Sequence, residues 1–107
     1  MAETVMFALC DLERLVSMSL TQVEHCLYAK PAILRQVGQK SWDECYVPRA
    51  EKALKEGGRY LDRAMNLQGL LTNPQEIHTA SVMVRHMGIR YKDLTLKLAS
   101  GAAPIMN

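Results

Sequence analysis

The chain has 107 residues, of which 49% are hydrophobic and 22% charged, and its net charge is +2. This composition predicts one globular domain over residues 1–107, and so small a charge does not by itself indicate a nucleic-acid partner. Cys10, Cys26 and Cys45 show no C-x-x-C spacing, which disfavours a disulfide framework or a zinc site, so we expect them to pack as small hydrophobic residues. The N-terminal segment lacks a basic region and its apolar positions are interrupted by charges, so we expect no signal peptide, no membrane span and a cytoplasmic location.

The first predicted element is a long amphipathic helix over about residues 3–29. Its apolar seam recurs every three or four residues, as the buried stripe of a helix does. The seam residues are Val5, Leu9, Leu12, Val16, Leu20, Val23 and Leu27. Pro31 is predicted to restart the chain as two further helical turns that end at Gly38.

A short helical elbow over residues 41–47 is predicted next, because Ser41 and Glu44 have the spacing of a capping box. The second long helix is predicted over about residues 48–71. Gly57 and Gly58 lie in its middle, where each glycine costs about 1 kcal/mol relative to alanine. Since the helical pattern continues beyond them, we expect a neighbouring helix to approach closely there.

The third helix is predicted over about residues 73–98. Asn73 is the expected N-cap, Pro74 takes the first helical position, and Glu76 is placed to complete a capping box. The seam behind them alternates spacings of three and four without a slip, which predicts one uninterrupted rod; it comprises Ile77, Ala80, Val84, Met87, Tyr91, Leu94 and Leu98. The predicted fold is therefore all-α: an antiparallel bundle of three long helices with a short helical elbow between the first and second.

A second apolar stripe distinguishes the third helix. Val82, Ile89 and Leu96 recur every seven residues, about 140° around the helix from the first seam. A helix of a lone three-helix bundle needs only one such stripe. Either the 31–37 segment covers the second stripe or a partner does, and the sequence leaves both open.

The partner hypothesis predicts a non-enzymatic protein-binding module, such as an inhibitor, immunity protein, adaptor or chaperone-like factor, of the kind found in phages and mobile elements. It would present a helix face to a larger protein. The predicted binding residues are the stripe and its basic rim: Val82, Ile89, Leu96, Arg85 and Lys92. A homodimer through the same stripe is a further hypothesis, compatible with protein binding and with DNA binding. A second candidate surface is the elbow, where Trp42 and Tyr46 either anchor a partner or cap the bundle.

Charge is unevenly distributed along the chain. Residues 1–29 hold four acidic residues against one basic residue, and residues 85–97 hold four basic residues against one acidic residue. Either the first and last helices lie side by side and complement each other, or the last helix offers a basic face to an acidic partner.

A second functional hypothesis concerns residues 83–98, which read MVRHMGIRYKDLTLKL. This segment resembles the C-terminal helix-turn-helix of the factor-for-inversion-stimulation type, with the turn at Gly88. The resemblance implies a DNA-binding transcriptional regulator whose recognition helix contacts DNA through Arg90, Tyr91, Lys92 and Lys97. The uninterrupted seam through Gly88 favours a continuous helix instead.

Residues that support catalysis or metal binding are not grouped in this sequence. No P-loop, dinucleotide-binding or H-E-x-x-H motif occurs, and His25 and Cys26 are neighbours that point in different directions on a helix. We therefore predict no catalytic residues, no metal and no cofactor.

Overall fold

The computed structural model describes the backbone of residues 2–100 and the side chains of residues 4–100. Its elements are α1 (Ala2–Ser41), a π-helical turn (Trp42–Tyr46), α2 (Val47–Gln68) and α3 (Pro74–Ser100), with no strand in residues 2–100. α2 runs antiparallel to α1, and α3 runs antiparallel to α2 and parallel to α1. The all-α bundle prediction is confirmed.

The number of separate helices is lower than predicted. Helical elements follow one another without a loop from residue 2 to residue 68, with a kink at Gly38, so the chain has two long helical stretches rather than three. The break predicted between residue 29 and Pro31 is wrong. Proline removes one backbone donor from a helix interior, but here the turn around Pro31 packs on the returning chain, with Lys30 Nζ 5.3 Å from the Trp42 ring centroid.

The bend that reverses the chain lies at Gly38, the predicted helix stop. Its φ of 86° and ψ of 173° are non-helical, and the positive φ favours glycine because a Cβ would be strained there. The capping box predicted at Ser41 is wrong, since Ser41 has helical angles and makes no side-chain cap. Its neighbours instead continue into the π-helical turn.

The π-helical turn joins the reversed chain to α2. The Val47 N–H donates to the carbonyl oxygen of Trp42, five residues back. Pro48, at the start of α2, has no N–H and its ring crowds the preceding turn, which is a common cause of such widening. Trp42 is buried and stacks on Tyr46 with 6.0 Å between ring centroids, so this pair closes the end of the bundle.

The core follows the predicted seams of the first and third helices, and α2 adds buried residues of its own. The buried members of the core are Leu9, Leu12, Val16, Leu20, Val23, Leu27, Ala53, Leu61, Ala64, Leu71, Ala80, Met87 and Leu94. Ile77, predicted at the start of the third seam, is exposed because it lies at the first turn of α3, at the open end of the bundle.

The glycine pair of α2 packs as predicted, one glycine against each neighbour. A Cβ on Gly57 would lie 3.2 Å from Leu20 Cδ2 of α1, and a Cβ on Gly58 would lie 2.8 Å from the Tyr91 hydroxyl oxygen of α3. α2 continues through both positions. The missing side chains therefore allow α1 and α3 to approach α2 closely at the same level of the bundle.

Asn73 caps α3 as predicted. Its Oδ1 accepts hydrogen bonds from the backbone N–H of Gln75 at 2.9 Å and of Glu76 at 3.3 Å. The reciprocal half of the predicted capping box is not formed, since Glu76 Oε1 is buried without a hydrogen-bond partner among the described residues. The first turn of α3 therefore depends on Asn73 alone for its side-chain cap.

Candidate functional site

α3 is a single helix through Gly88. It extends without interruption from Pro74 to Ser100, so the chain does not turn where the helix-turn-helix resemblance places its turn. A Cβ on Gly88 would meet no heavy atom within 4 Å. Gly88 therefore differs from the α2 glycines, because no neighbouring helix approaches it within the described residues.

Arg90, the first of the nucleic-acid candidates, is held by α1. Its Nε and Nη2 donate to the two carboxylate oxygens of Glu24, at 3.1 and 2.7 Å. Nη1 donates to Ser17 Oγ at 3.0 Å and Nη2 to Thr21 Oγ1 at 2.8 Å. The hydrogen bond from Arg90 lowers the pKa of Glu24 below its ordinary value. The Arg90 guanidinium therefore makes its hydrogen bonds within the contact between α1 and α3.

Two of the other nucleic-acid candidates also have partners inside the bundle. Tyr91 lies against Gly58 of α2, and Lys97 Nζ is 3.1 Å from Asp93 Oδ2. Lys92 is exposed and makes no ion pair among the described residues. The four residues therefore do not form one free basic surface.

The second apolar stripe of α3 faces away from the core. Val82 is 42% exposed, Ile89 62% and Leu96 64%, so the 31–37 segment does not cover them. Arg85 and Lys92 lie beside the stripe and are exposed. The five predicted binding residues therefore share one outward face, which we call the α3 outer face.

A shallow groove lies on α2 where Tyr91 of α3 packs against it. It has a volume of about 250 Å³ and is lined by Lys55, Gly58, Arg59, Leu61, Asp62 and Tyr91. Lys55 and Arg59 are not among the surface residues predicted from the sequence. Lys52, Lys55, Arg59 and Arg63 recur every three or four residues, and that spacing was the available signal.

The cysteines differ from one another in environment, contrary to the expectation that all three are buried. Cys10 and Cys45 are exposed, and Cys26 is half-buried. The Cys26 thiol donates a hydrogen bond to the carbonyl oxygen of Tyr46, with 3.7 Å between sulfur and oxygen. Burial raises the pKa of this thiol. A raised pKa lowers the thiolate fraction and so makes Cys26 a poor nucleophile.

Comparison with known proteins adds no relative: no family model, no curated protein and no solved structure matches the chain. Across the helices of residues 2–100, none is long and apolar enough to cross a membrane. In the same part of the chain, no three His, Cys, Asp or Glu side chains are grouped closely enough to hold a metal ion.

Proposed function

We propose that this protein is a small non-enzymatic binding module that docks a helix of a larger protein on the α3 outer face. The observation that carries the proposal is the exposure of Val82, Ile89 and Leu96 at regular seven-residue intervals. Single exposed apolar residues are ordinary in soluble proteins, whereas several that recur on one helix face are typical of an interaction surface.

The spacing of the stripe favours a helical partner. Seven residues are close to two helical turns, or about 10 Å along the axis, so Val82, Ile89 and Leu96 form a straight ridge. A ridge of this kind packs into the groove between side chains of a second helix. Burying an aliphatic side chain of this size contributes about 1.5–3 kcal/mol before the costs of association.

The biological class we propose is an inhibitor, immunity protein, adaptor or chaperone-like factor acting in the cytoplasm. Each of these acts by occupying a surface of another protein, which requires a rigid face and no catalytic group. The alternative of a DNA-binding regulator has less support, because Arg90 is bonded to Glu24 and no turn occurs at Gly88.

Affinity capture with two matched variants tests the proposal. The tagged protein, Ile89→Asp and Met18→Asp would each be used to capture proteins from lysate of the source or host cell, with and without nuclease treatment. Met18 is the control because it is 57% exposed on the opposite outer surface, on α1. We expect one stoichiometric partner that is captured by the unchanged protein and by Met18→Asp and is lost with Ile89→Asp.

Circular dichroism of the same variants separates loss of binding from loss of fold. Ile89→Asp is expected to keep its helical signal, because the side chain is exposed. Unfolding of Ile89→Asp would show that the stripe is core, and capture that depends on nucleic acid would favour the DNA-binding alternative. Equal capture by both variants would place the binding surface elsewhere.

A further inference from the structure

We infer that the partner segment docked on the α3 outer face is an acidic helix, and that basic side chains of α2 help to bind it. The inference rests on the proposed function and names the chemistry of its partner. It is carried by exposed basic residues on two adjacent helices: Lys55 and Arg59 of α2, and Arg85 and Lys92 of α3.

These four side chains border one strip of surface. Lys55, Arg59 and Tyr91 line the groove between α2 and α3, and Lys92 follows Tyr91 directly. At about 100° per residue, Arg85 and Lys92 lie on α3 between its α2-facing side and the apolar stripe. Arg85 and Lys92 therefore flank the apolar stripe along the edge that faces α2, and Lys55 and Arg59 lie across the groove on α2.

The same four side chains have no ion-pair partner within the bundle. The ion pairs among the described residues are Arg14–Asp11, Arg90–Glu24 and Lys97–Asp93. A carboxylate supplied by a partner would find these cations exposed and unpaired. An apolar line with basic residues along one edge is complementary to a helix with an apolar line and acidic flanks.

A second copy of this chain is a poor occupant for the surface. Two α3 helices packed stripe to stripe and antiparallel would bring Arg85 and Lys92 of both copies to one seam. Like charges along such a seam oppose association. An antiparallel homodimer is therefore disfavoured by the charges that favour an acidic helix.

Nucleic acid is also a poorer occupant than an acidic helix. Glu51, Glu56 and Asp62 interrupt the basic residues of α2, and Asp62 lies in the groove itself. A phosphate backbone carries closely spaced charges and needs an uninterrupted basic track, whereas a helix can place its few acidic residues opposite the basic ones alone. The aliphatic side chains of the stripe would also stay unburied against phosphates, whereas a helix would cover them.

Two designed helical peptides and a DNA duplex test the inference. The peptides have equal length and leucine at every seventh position, and differ only in carrying glutamate or lysine beside the leucines. Binding of each labelled probe to the full chain is measured by fluorescence anisotropy. We expect the glutamate peptide to bind roughly tenfold more tightly than the lysine peptide, and the preference to shrink with added salt.

Charge reversal provides the matched controls. The double variant Lys55→Glu/Arg59→Glu is expected to lose most of the preference for the glutamate peptide. Arg35→Glu/Lys40→Glu changes the net charge equally at exposed positions around the Gly38 bend and is expected to keep it. Circular dichroism verifies that both variants remain folded.

Equal binding of the two peptides, binding of neither, or tighter binding of the duplex would overturn the inference. These outcomes are distinguishable from failure of the proposed function. If Ile89→Asp still abolishes capture of the cellular partner while the peptides are not discriminated, only the acidic chemistry of the partner is wrong. If Ile89→Asp captures the partner normally, the proposed function is wrong as well.

Discussion

The two apolar stripes of α3 have the same period and opposite environments. Ala80, Met87 and Leu94 are buried against α1 and α2, whereas Val82, Ile89 and Leu96 are exposed on the far side of the same helix. Both sets recur every seven residues. Periodicity therefore identifies a helix surface that can be buried. The positions of the neighbouring helices decide whether it is buried within the chain.

The glycines of α2 and α3 also differ in whether close packing offsets their low helix propensity. Gly57 and Gly58 allow close contacts with Leu20 and Tyr91, which offset their low helix propensity. Gly88 has no such contact and lies in α3 beside the exposed stripe. Within the isolated chain, Gly88 therefore lowers stability without a packing gain.

Truncation of one residue from each stripe is expected to give the largest difference in the free energy of unfolding. Leu94→Ala removes a buried side chain, so we expect the free energy of unfolding to fall by about 3 kcal/mol. Ile89→Ala is expected to change it by less than about 0.5 kcal/mol, because the side chain is exposed. Urea unfolding followed by circular dichroism measures both. Equal losses would show that the outer stripe is buried.

Arg90 lies between the buried and the exposed stripe of α3. Its substitution should lower the free energy of unfolding by an intermediate amount. Its bonds to the Glu24 carboxylate are partly exposed, so we expect Arg90→Ala to lower the free energy of unfolding by about 1 kcal/mol at neutral pH. Arg90→Lys should restore only part of this loss, because lysine cannot bind the carboxylate through two nitrogens. Denaturant titration gives the values, and an unchanged free energy of unfolding in Arg90→Ala would mean that the contact does not stabilise the bundle.

The same contact predicts a pH dependence with a defined sign. The pKa of Glu24 is lowered in the folded state, so its contribution is complete above the ordinary carboxyl pKa of 4.5 and is lost as pH falls through the folded value. The stability difference between the unchanged protein and Arg90→Ala should therefore shrink under acidic conditions. Denaturant titration at neutral pH and below pH 4 measures this difference, and a difference that stayed constant would contradict the assigned ion pair.

Alanine substitution of glycines is expected to raise stability on α3 and not on α2. Gly88→Ala should stabilise the isolated protein by about 1 kcal/mol, since its Cβ enters open space. Gly58→Ala should give no such gain, because its Cβ would lie 2.8 Å from the Tyr91 hydroxyl oxygen and the ring would have to move. Thermal unfolding compares the two, and stabilisation by Gly58→Ala would show that Tyr91 is not packed there.

Much of the fold was predictable because the helical signals are strong and local. The seams, the Asn73 cap and the continuity of α2 through its glycines follow from residue spacing and are confirmed. The predicted break near Pro31 is wrong because a proline removes only one backbone hydrogen bond, and the helix continues past it to the bend at Gly38. The capping box at Ser41 failed for a related reason, since that serine lies inside continuous helix.

The candidate site was less predictable, because exposure and pairing depend on which helices become neighbours. The sequence indicated a second stripe on α3 but left open whether the 31–37 segment covers it. Arg90 resembled a DNA-contacting residue by position, and only the parallel packing of α1 and α3 brings Glu24 to it. Lys55 and Arg59 have no distinguishing feature in the sequence. They become candidate binding residues because the structure places them beside Tyr91.

Photo-crosslinking from the centre of the outer stripe tests the central claim most directly. A photoreactive phenylalanine analogue at Ile89, and the same group at Met18 as the control, would be activated in the source or host cell. We predict one protein adduct from position 89 that is resistant to nuclease and absent from position 18. No adduct from position 89, an adduct with nucleic acid, or the same adducts from both positions would contradict the claim that the α3 outer face binds a protein partner.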